Sequence, residues 1–539
     1  MNIFYKISNK IAKYILDSPS SRFITHNKSL WKNNSGDNKD VGEVLFELNE
    51  MSSAIIAYSY LANALADKHN SKIVAFSESR RKWFDLLVEN LVNSNVKKIF
   101  HSFNTDKFVY IDRTKKQKEE ADSIVNSVFP SFKTKYDVEN LTIDGVVIGD
   151  LVYDTYLRSE NLPTITLGDE RFTASLKNSI EHYVFWRDYF NSHNVNAVSI
   201  SHCVYNFAIP LRIAVSKNIP VYQISATHVY RLCADNLHAY NDFKYFPMYF
   251  KNLPSDVQEA GLKEGKLRLE RRFSGEVGVD MAYSKKSAYS GIKEESVLKK
   301  NDRIKVLIAT HCFFDSPHPY GNNLFPDFYE WISFLGEISD KTNYDWYIKT
   351  HPDFLPGNKY IIDEFIDKFP RFNLIPAETS HKQIIEEGID YALTVYGTIG
   401  FEYAALGIPV INASLNNPHV AYNFNIHPKT IKEYEDILLS LGGFDFSINR
   451  DEVYEYYFMK FIYNTKDWLF DDYSAMEKSV GGYSKQFTSK VYTEWLREWA
   501  EEKHVSILNE LECFIESGDF RLINTREKQL PNLSEGQKL

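Results

Sequence analysis

Cysteine is scarce in this chain. Of 539 residues only Cys203, Cys233, Cys312 and Cys513 are cysteines, and no Cys-x-x-Cys pair occurs. That excludes a disulfide framework and a cysteine-based zinc site, and fits a reducing, cytoplasmic compartment. Long apolar runs are missing as well. No stretch approaches the roughly 20 residues needed to cross a bilayer, and no signal-peptide core is present. A basic excess is absent too. The formal net charge is −10, which argues against a nucleic-acid binder, whose surface would be positive. Nor is there an Asp-x-Asp tripeptide, so the metal-diphosphate device built on that motif has no candidate. We expect neither a metal nor a resident cofactor.

What is present reads as a soluble enzyme in more than one domain. The length exceeds a single hydrophobic core, and 44% hydrophobic with 25% charged residues is ordinary for globular proteins. The 15% aromatic share is high, and we assign most of it to core packing. At the N-terminus, Ile3, Phe4, Ile7, Ile11, Tyr14 and Ile15 recur at helical spacing with Lys6, Lys10 and Lys13 between them. Such a helix suits either packing on its own domain or an anionic membrane surface.

From residue 41 strands and helices alternate. Expected strands are Val44–Leu48, Lys72–Phe76, Lys98–Phe100, Gly145–Ile148, Ala197–Ile200 and Pro220–Ile224. This alternation predicts a parallel sheet covered on both faces. A polar stretch follows, and Arg303–Thr310 opens a second α/β unit. The predicted division is an N-terminal segment 1–40, a first Rossmann-like domain 41–285, a linker 286–302, a second Rossmann-like domain 303–449, and C-terminal helices with a frayed tail over 450–539. A cleft is expected between the two doubly wound domains.

The richest stretch is Asp390-Tyr-Ala-Leu-Thr-Val-Tyr-Gly-Thr-Ile-Gly-Phe-Glu-Tyr-Ala-Ala-Leu-Gly-Ile-Pro-Val-Ile-Asn412. It reads as strand, turn, helix, break and strand. Gly397 and Gly400 flank Thr398 and let a ligand approach the backbone, while the helix start offers free N–H groups and a positive dipole end to a phosphate. Upstream, Trp346–Lys349 runs into Thr350-His351-Pro352, placing a cation and an imidazole at a second strand end. Both features point to a nucleotide-sugar site. Thr310 and His311 end the strand opening the second unit and join that group. A zinc reading of His311, Asp315 and His318 is disfavoured by the prolines among them.

The order Lys349-Thr-His-Pro352, Val395-Tyr-Gly-Thr-Ile-Gly-Phe-Glu402, Leu406-Gly-Ile-Pro-Val410 resembles the donor half of bacterial capsule and lipopolysaccharide glycosyltransferases of the GT-B type. It is most similar to enzymes using CMP-activated acidic sugars, the Kdo transferases and bacterial sialyltransferases. The resemblance implies a CMP-linked donor as substrate, with His351 and Thr398 on the CMP part and Glu402 on the ribose hydroxyls. It also implies a glycan or lipid-linked glycan acceptor beside the inner face of a membrane. The first domain would then hold the acceptor and the reacting group. Asp150 and Asp154, one helical turn apart, and His202 and His228, each after a strand, are the candidates. Inversion and retention stay open. So do a polyol-phosphate transferase, a sugar-nucleotide epimerase and a non-catalytic assembly partner.

Overall fold

The computed structural model describes residues 16–31, 41–77, 94–280, 287–291, 295–350, 357–463 and 467–522. Its frame is two sheets. The first contains β1 (Gly42–Glu47), β2 (Ser71–Ser77) and β3 (Thr105–Tyr110). A small antiparallel hairpin follows, β4 (Thr142–Ile143) and β5 (Val146–Val147), and then β6 (Val195–Ile200), β7 (Val221–Ser225) and β8 (His228–Leu232). The spatial order is β3-β2-β1-β6-β7-β8, parallel except that β8 returns antiparallel to β7. The second sheet is wholly parallel: β9 (Lys305–Ala309), β10 (Asp345–Lys349), β11 (Phe372–Ile375), β12 (Tyr391–Thr394) and β13 (Val410–Asn412), in the order β11-β10-β9-β12-β13.

Two expected strands are corrected. Lys98–Phe100 lies inside a helix, Asn95–Ser102, started by the Ser94 side chain accepting from the Lys97 amide. Its buried residues, Lys97, Ile99, Phe100 and Ser102, follow a helical rather than an alternating period, and the strand comes later, at Thr105. Gly145–Ile148 belongs to the hairpin, outside the main sheet. Asp144 and Gly145 carry φ of 50° and 80°, so the chain reverses there instead of extending.

Each sheet is covered on both faces. Helix Ser52–His69 is buried along nearly its whole length, from Ser52 to Leu65. Beneath it lie β1, β2 and β7; above it lie residues from the far end of the chain. Trp468, Phe470, Trp495, Ile507, Leu511 and Phe514 share one core with Phe23, Phe46, Ile56 and Tyr60. Helix Ser18–Leu30 joins that core, its Phe23 ring stacked on Tyr492 at 4.3 Å. The C-terminal helices therefore cross back and cap the first sheet. The protein is α/β: two doubly wound sheets plus a returning helical segment, a GT-B-like plan.

The stretch between the sheets is described in part, and those parts are strapped down. The Val297 and Leu298 amides donate to Glu387, and Tyr289 is buried against Glu402. Several buried polar contacts tie the two halves together. Asp327 caps helix Phe328–Asp340 with one oxygen and accepts from Tyr153 (2.5 Å) and Thr164 (2.6 Å) with the other. The amphipathic stretch Ile3–Ile15 lies outside the described residues. Among the described residues no helix is long and apolar enough to cross a membrane.

Candidate functional site

In a doubly wound sheet the two strands at which the order reverses leave a crevice beyond their carboxyl ends, where ligands bind. In the first sheet these strands are β1 and β6. Glu47 ends β1, and Ser201 and His202 directly follow β6. They form a chain of hydrogen bonds. The Ser201 amide and hydroxyl both donate to Glu47 Oε2 at 2.7 Å, and the Ser201 hydroxyl lies 3.0 Å from His202 Nδ1. Because the hydroxyl proton is committed to Glu47, Ser201 Oγ accepts from His202 Nδ1–H. The tautomer is thereby set with the free lone pair on Nε2 of an exposed ring. An orienting carboxylate, a relay hydroxyl and an imidazole with a free acceptor nitrogen are the parts of a general base.

In the second sheet the order reverses between β9 and β12. His311 follows β9, and its Nε2 accepts from the Val395 amide (3.3 Å) and lies 3.1 Å from the Thr394 hydroxyl. That hydroxyl accepts from the Gly397 amide at 3.1 Å, so its own proton goes to His311 Nε2 and the ring proton sits on Nδ1. Phe328 stacks on the ring at 4.7 Å. Beside it starts helix Ile399–Leu406. Thr398 precedes this helix, is exposed, and makes no side-chain cap. No described residue accepts the Thr398 or Ile399 amide. Gly400 is required sterically: a Cβ there would stand 2.4 Å from the His419 ring.

The loops after β6 and β9 face each other. The Tyr205 hydroxyl donates to Asp315 Oδ1 at 2.6 Å. Tyr205 adopts φ 59° and ψ −174°, a conformation that costs a non-glycine residue about 1–3 kcal/mol and collects at functional sites. Tyr240, also at positive φ, keeps 46% of its surface exposed while its ring packs on His228 and Tyr230.

The remaining expected site residues have other engagements. Asp150 and Asp154 do share a helix, Gly149–Glu160, but both side chains are buried and paired. Arg212 forks onto Asp150 with contacts of 2.5 and 3.3 Å; burial alone would raise the Asp150 carboxyl, yet Arg212 holds it below the usual range. Asp154 meets His318 rather than Arg158. Neither carboxylate is presented to a substrate in this arrangement. His228 accepts or donates through Nδ1 to Thr227 (2.9 Å) and Ser225 (3.1 Å), its Nε2 has no partner among the described residues, and burial pushes it down to about 3. A ring that hard to protonate is a hydrogen-bond acceptor and a weak base.

On the second half, the Lys349 amine donates to the Ala377 carbonyl at 2.6 Å, buried enough to fall to about 8. Thr310 is buried with its hydroxyl unpaired among the described residues. Glu402, expected on a ribose, has both oxygens taken: one by Arg272 at 2.5 and 2.9 Å, the other by the Tyr289 hydroxyl at 3.0 Å. His351 lies outside the described residues. His311, Asp315 and His318 turn to Thr394, Tyr205 and Asp154, three separate partners. Among the described residues no group of three or more His, Cys, Asp or Glu is gathered for a metal. An open groove of about 980 Å³ follows helix Glu501–Ser517, but no residue of the strand-end loops lines it.

Glu47, Ser201 and Thr394 escaped the sequence reading. Their signal was available: each is a polar residue at or just beyond the carboxyl end of a strand that flanks an order reversal, but strand order is not visible in one sequence.

No family model and no curated protein matches the chain. Similar solved structures include a Thermosulfurimonas dismutans KpsC, a beta Kdo 2,7 transferase, at 14% identity over 48% of this chain and 74% of that one, with a TM-score of 0.30. A glycosyltransferase from Rickettsia africae is 8% identical over 85% of this chain and 100% of its own, with a TM-score of 0.24. A Neisseria meningitidis UDP-GlcNAc 2-epimerase bound to UDP-GlcNAc is 11% identical over 77% and 97%, with a TM-score of 0.21. Overlaps this weak decide nothing about activity.

Proposed function

We propose that this protein is a metal-independent glycosyltransferase that moves a sugar from a nucleotide donor to a glycan hydroxyl. The observation that carries the reading is the pairing of the two crevices. A relay-held imidazole lies beyond β1 and β6, a glycine-flanked helix start lies beyond β9 and β12, and Tyr205–Asp315 brings the two loops together. In this reading the Thr398 hydroxyl and the Thr398 and Ile399 amides bind the donor's phosphate, and Gly397 and Gly400 shape the turn that presents them. We assign His311 and His351 to the departing group as hydrogen-bond donors. His202 Nε2 takes the proton of the acceptor hydroxyl as it attacks the sugar carbon, and Ser201 and Glu47 stabilise the imidazolium that forms. Such a base favours direct inversion, with no covalent intermediate on the protein. The donor we favour is a CMP-linked acidic sugar of the Kdo kind, and the acceptor a surface glycan or its lipid-linked precursor. The motif order Lys349–Pro352, Val395–Glu402, Leu406–Val410 supports that choice.

A thermal-shift panel of CMP, UMP, UDP, GDP and CDP-polyols tests the reading, since a ligand of the native state raises its melting temperature by mass action. Stabilisation by CMP, and glycan-dependent release of CMP from the matching donor, are expected. Stabilisation by UDP with turnover of a UDP-sugar in the absence of acceptor would replace transferase by epimerase. Stabilisation by CDP-polyols alone would point to polyol-phosphate transfer.

A further inference from the structure

Helix Arg450–Tyr457 does not continue as an α-helix. Residues Phe458–Tyr463 form a π-helical turn, a geometry less stable than the α form and frequent at functional sites. This turn carries Lys460. Its amine stands 5.6 Å from the centre of the Tyr456 ring and 5.8 Å from that of Phe461, and among the described residues it has no hydrogen bond and no ion pair. The nearby carboxylate does not serve it: Asp242 is bonded to Arg521, whose guanidinium lies 5.4 Å from the Tyr230 ring. Burial pushes the amine down to about 8, with Asp242 raising it and Arg521 lowering it. A half-buried ammonium over two rings, with no carboxylate of its own, is left with donors for an anion.

Its location gives those donors a use. The Tyr456 ring that Lys460 overlies packs edge-on to His419 at 4.8 Å, and His419 is the ring that excludes a side chain from Gly400 at the helix start. Burial holds His419 neutral, well below its ordinary value, with Lys460 and His427 adding to the effect. Phe461 touches Phe401 of the same helix at 5.8 Å. Asp242, from the first half, and Arg521, from the returning C-terminal segment, both act on its charge. We propose that Lys460, on the π-turn, is an oxyanion-binding residue of the substrate site, holding a phosphate or a sugar carboxylate. This rests on the proposed nucleotide-sugar reading and adds a residue from the crossing helix to it.

The test compares the full-length protein with Lys460→Gln and Lys460→Arg, using CMP, cytidine, inorganic pyrophosphate and free Kdo as probes in titration calorimetry. Far-ultraviolet circular dichroism and melting temperature verify folding. A lost charge-assisted contact should weaken binding of the responsible probe about tenfold or more in Lys460→Gln. Cytidine binding should not change, and Lys460→Arg should restore much of the loss. Loss confined to CMP and pyrophosphate assigns the phosphate; loss confined to Kdo assigns the carboxylate; either supports the proposal. If the wild type binds pyrophosphate or Kdo through Lys460 but no nucleotide, the anion site stands and the nucleotide reading fails. Equal affinities in wild type and Lys460→Gln for every anion overturn the proposal while leaving that reading intact. Absence of any anion binding by the wild type overturns both.

Discussion

His318 Nδ1 lies 2.6 Å from Asp154 Oδ1, and its other nitrogen lies 3.2 Å from Glu139 Oε1. His318 belongs to the second half and both carboxylates to the first, and all three side chains are almost entirely buried. The pair is therefore a charged tie between the halves. Burial alone would keep the ring neutral, but the two carboxylates raise it well above a free imidazole.

That tie gives a pH prediction with a definite sign. A histidine whose folded-state value is raised contributes stability that is complete below the unfolded value of about 6.5. The contribution is lost as pH rises through the folded-state value. The melting temperature should therefore fall on the alkaline side of about pH 6.5, and the slope should flatten in His318→Gln. Removing one partner of a buried pair costs about 3–5 kcal/mol, and the double variant Asp154→Asn/His318→Gln should recover part of it. An unchanged melting profile in His318→Gln would refute the tie.

The relay at the first crevice predicts graded kinetic losses. His202→Ala should lower turnover by about 10²–10⁴-fold with nucleotide affinity unchanged, because the exposed His202 side chain lies at the first crevice and the proposed phosphate contacts lie at the second. Ser201→Ala and Glu47→Gln act only through the imidazole and should cost less, with a shifted acid limb in the pH–rate profile. Full turnover in His202→Ala would remove this relay from the reaction.

Thr398 separates binding from stability. Its side chain is exposed and caps nothing, so Thr398→Ala should change stability by no more than about 0.5 kcal/mol. Losing its contact to a charged phosphate should cost about 1.5–3 kcal/mol of binding. Calorimetric titration with the stabilising nucleotide reads the second quantity and thermal melting the first. Wild-type affinity would remove Thr398 from the site.

Glu402 should behave in the opposite way. With Arg272 and Tyr289 on its carboxylate and 4% of its surface exposed, Glu402→Ala deprives the largely buried Arg272 guanidinium of its carboxylate. A loss of about 3–5 kcal/mol of stability is expected, with nucleotide preference unaltered under conditions where the variant remains folded. A stable variant that had lost discrimination between ribose and deoxyribose nucleotides would restore the ribose role.

The alternation of apolar strands and amphipathic helices was sufficient to predict two doubly wound units. So was the glycine-flanked turn at Gly397–Gly400, because both signals are local: period, propensity and turn chemistry lie within a few consecutive residues. The same locality misled at Lys98–Phe100, where a short apolar run fits a strand and a buried helix face equally well. Tertiary structure alone decided which carboxylates are available. Asp150, Asp154 and Glu402 read as candidate site groups in the chain, yet each is claimed by a cation distant in sequence: Arg212, His318 and Arg272. Glu47 and Ser201 became a relay only because β1 and β6, far apart in the chain, are neighbours in the sheet. A buried charge is set by what packs against it, and for these side chains the partner comes from another element.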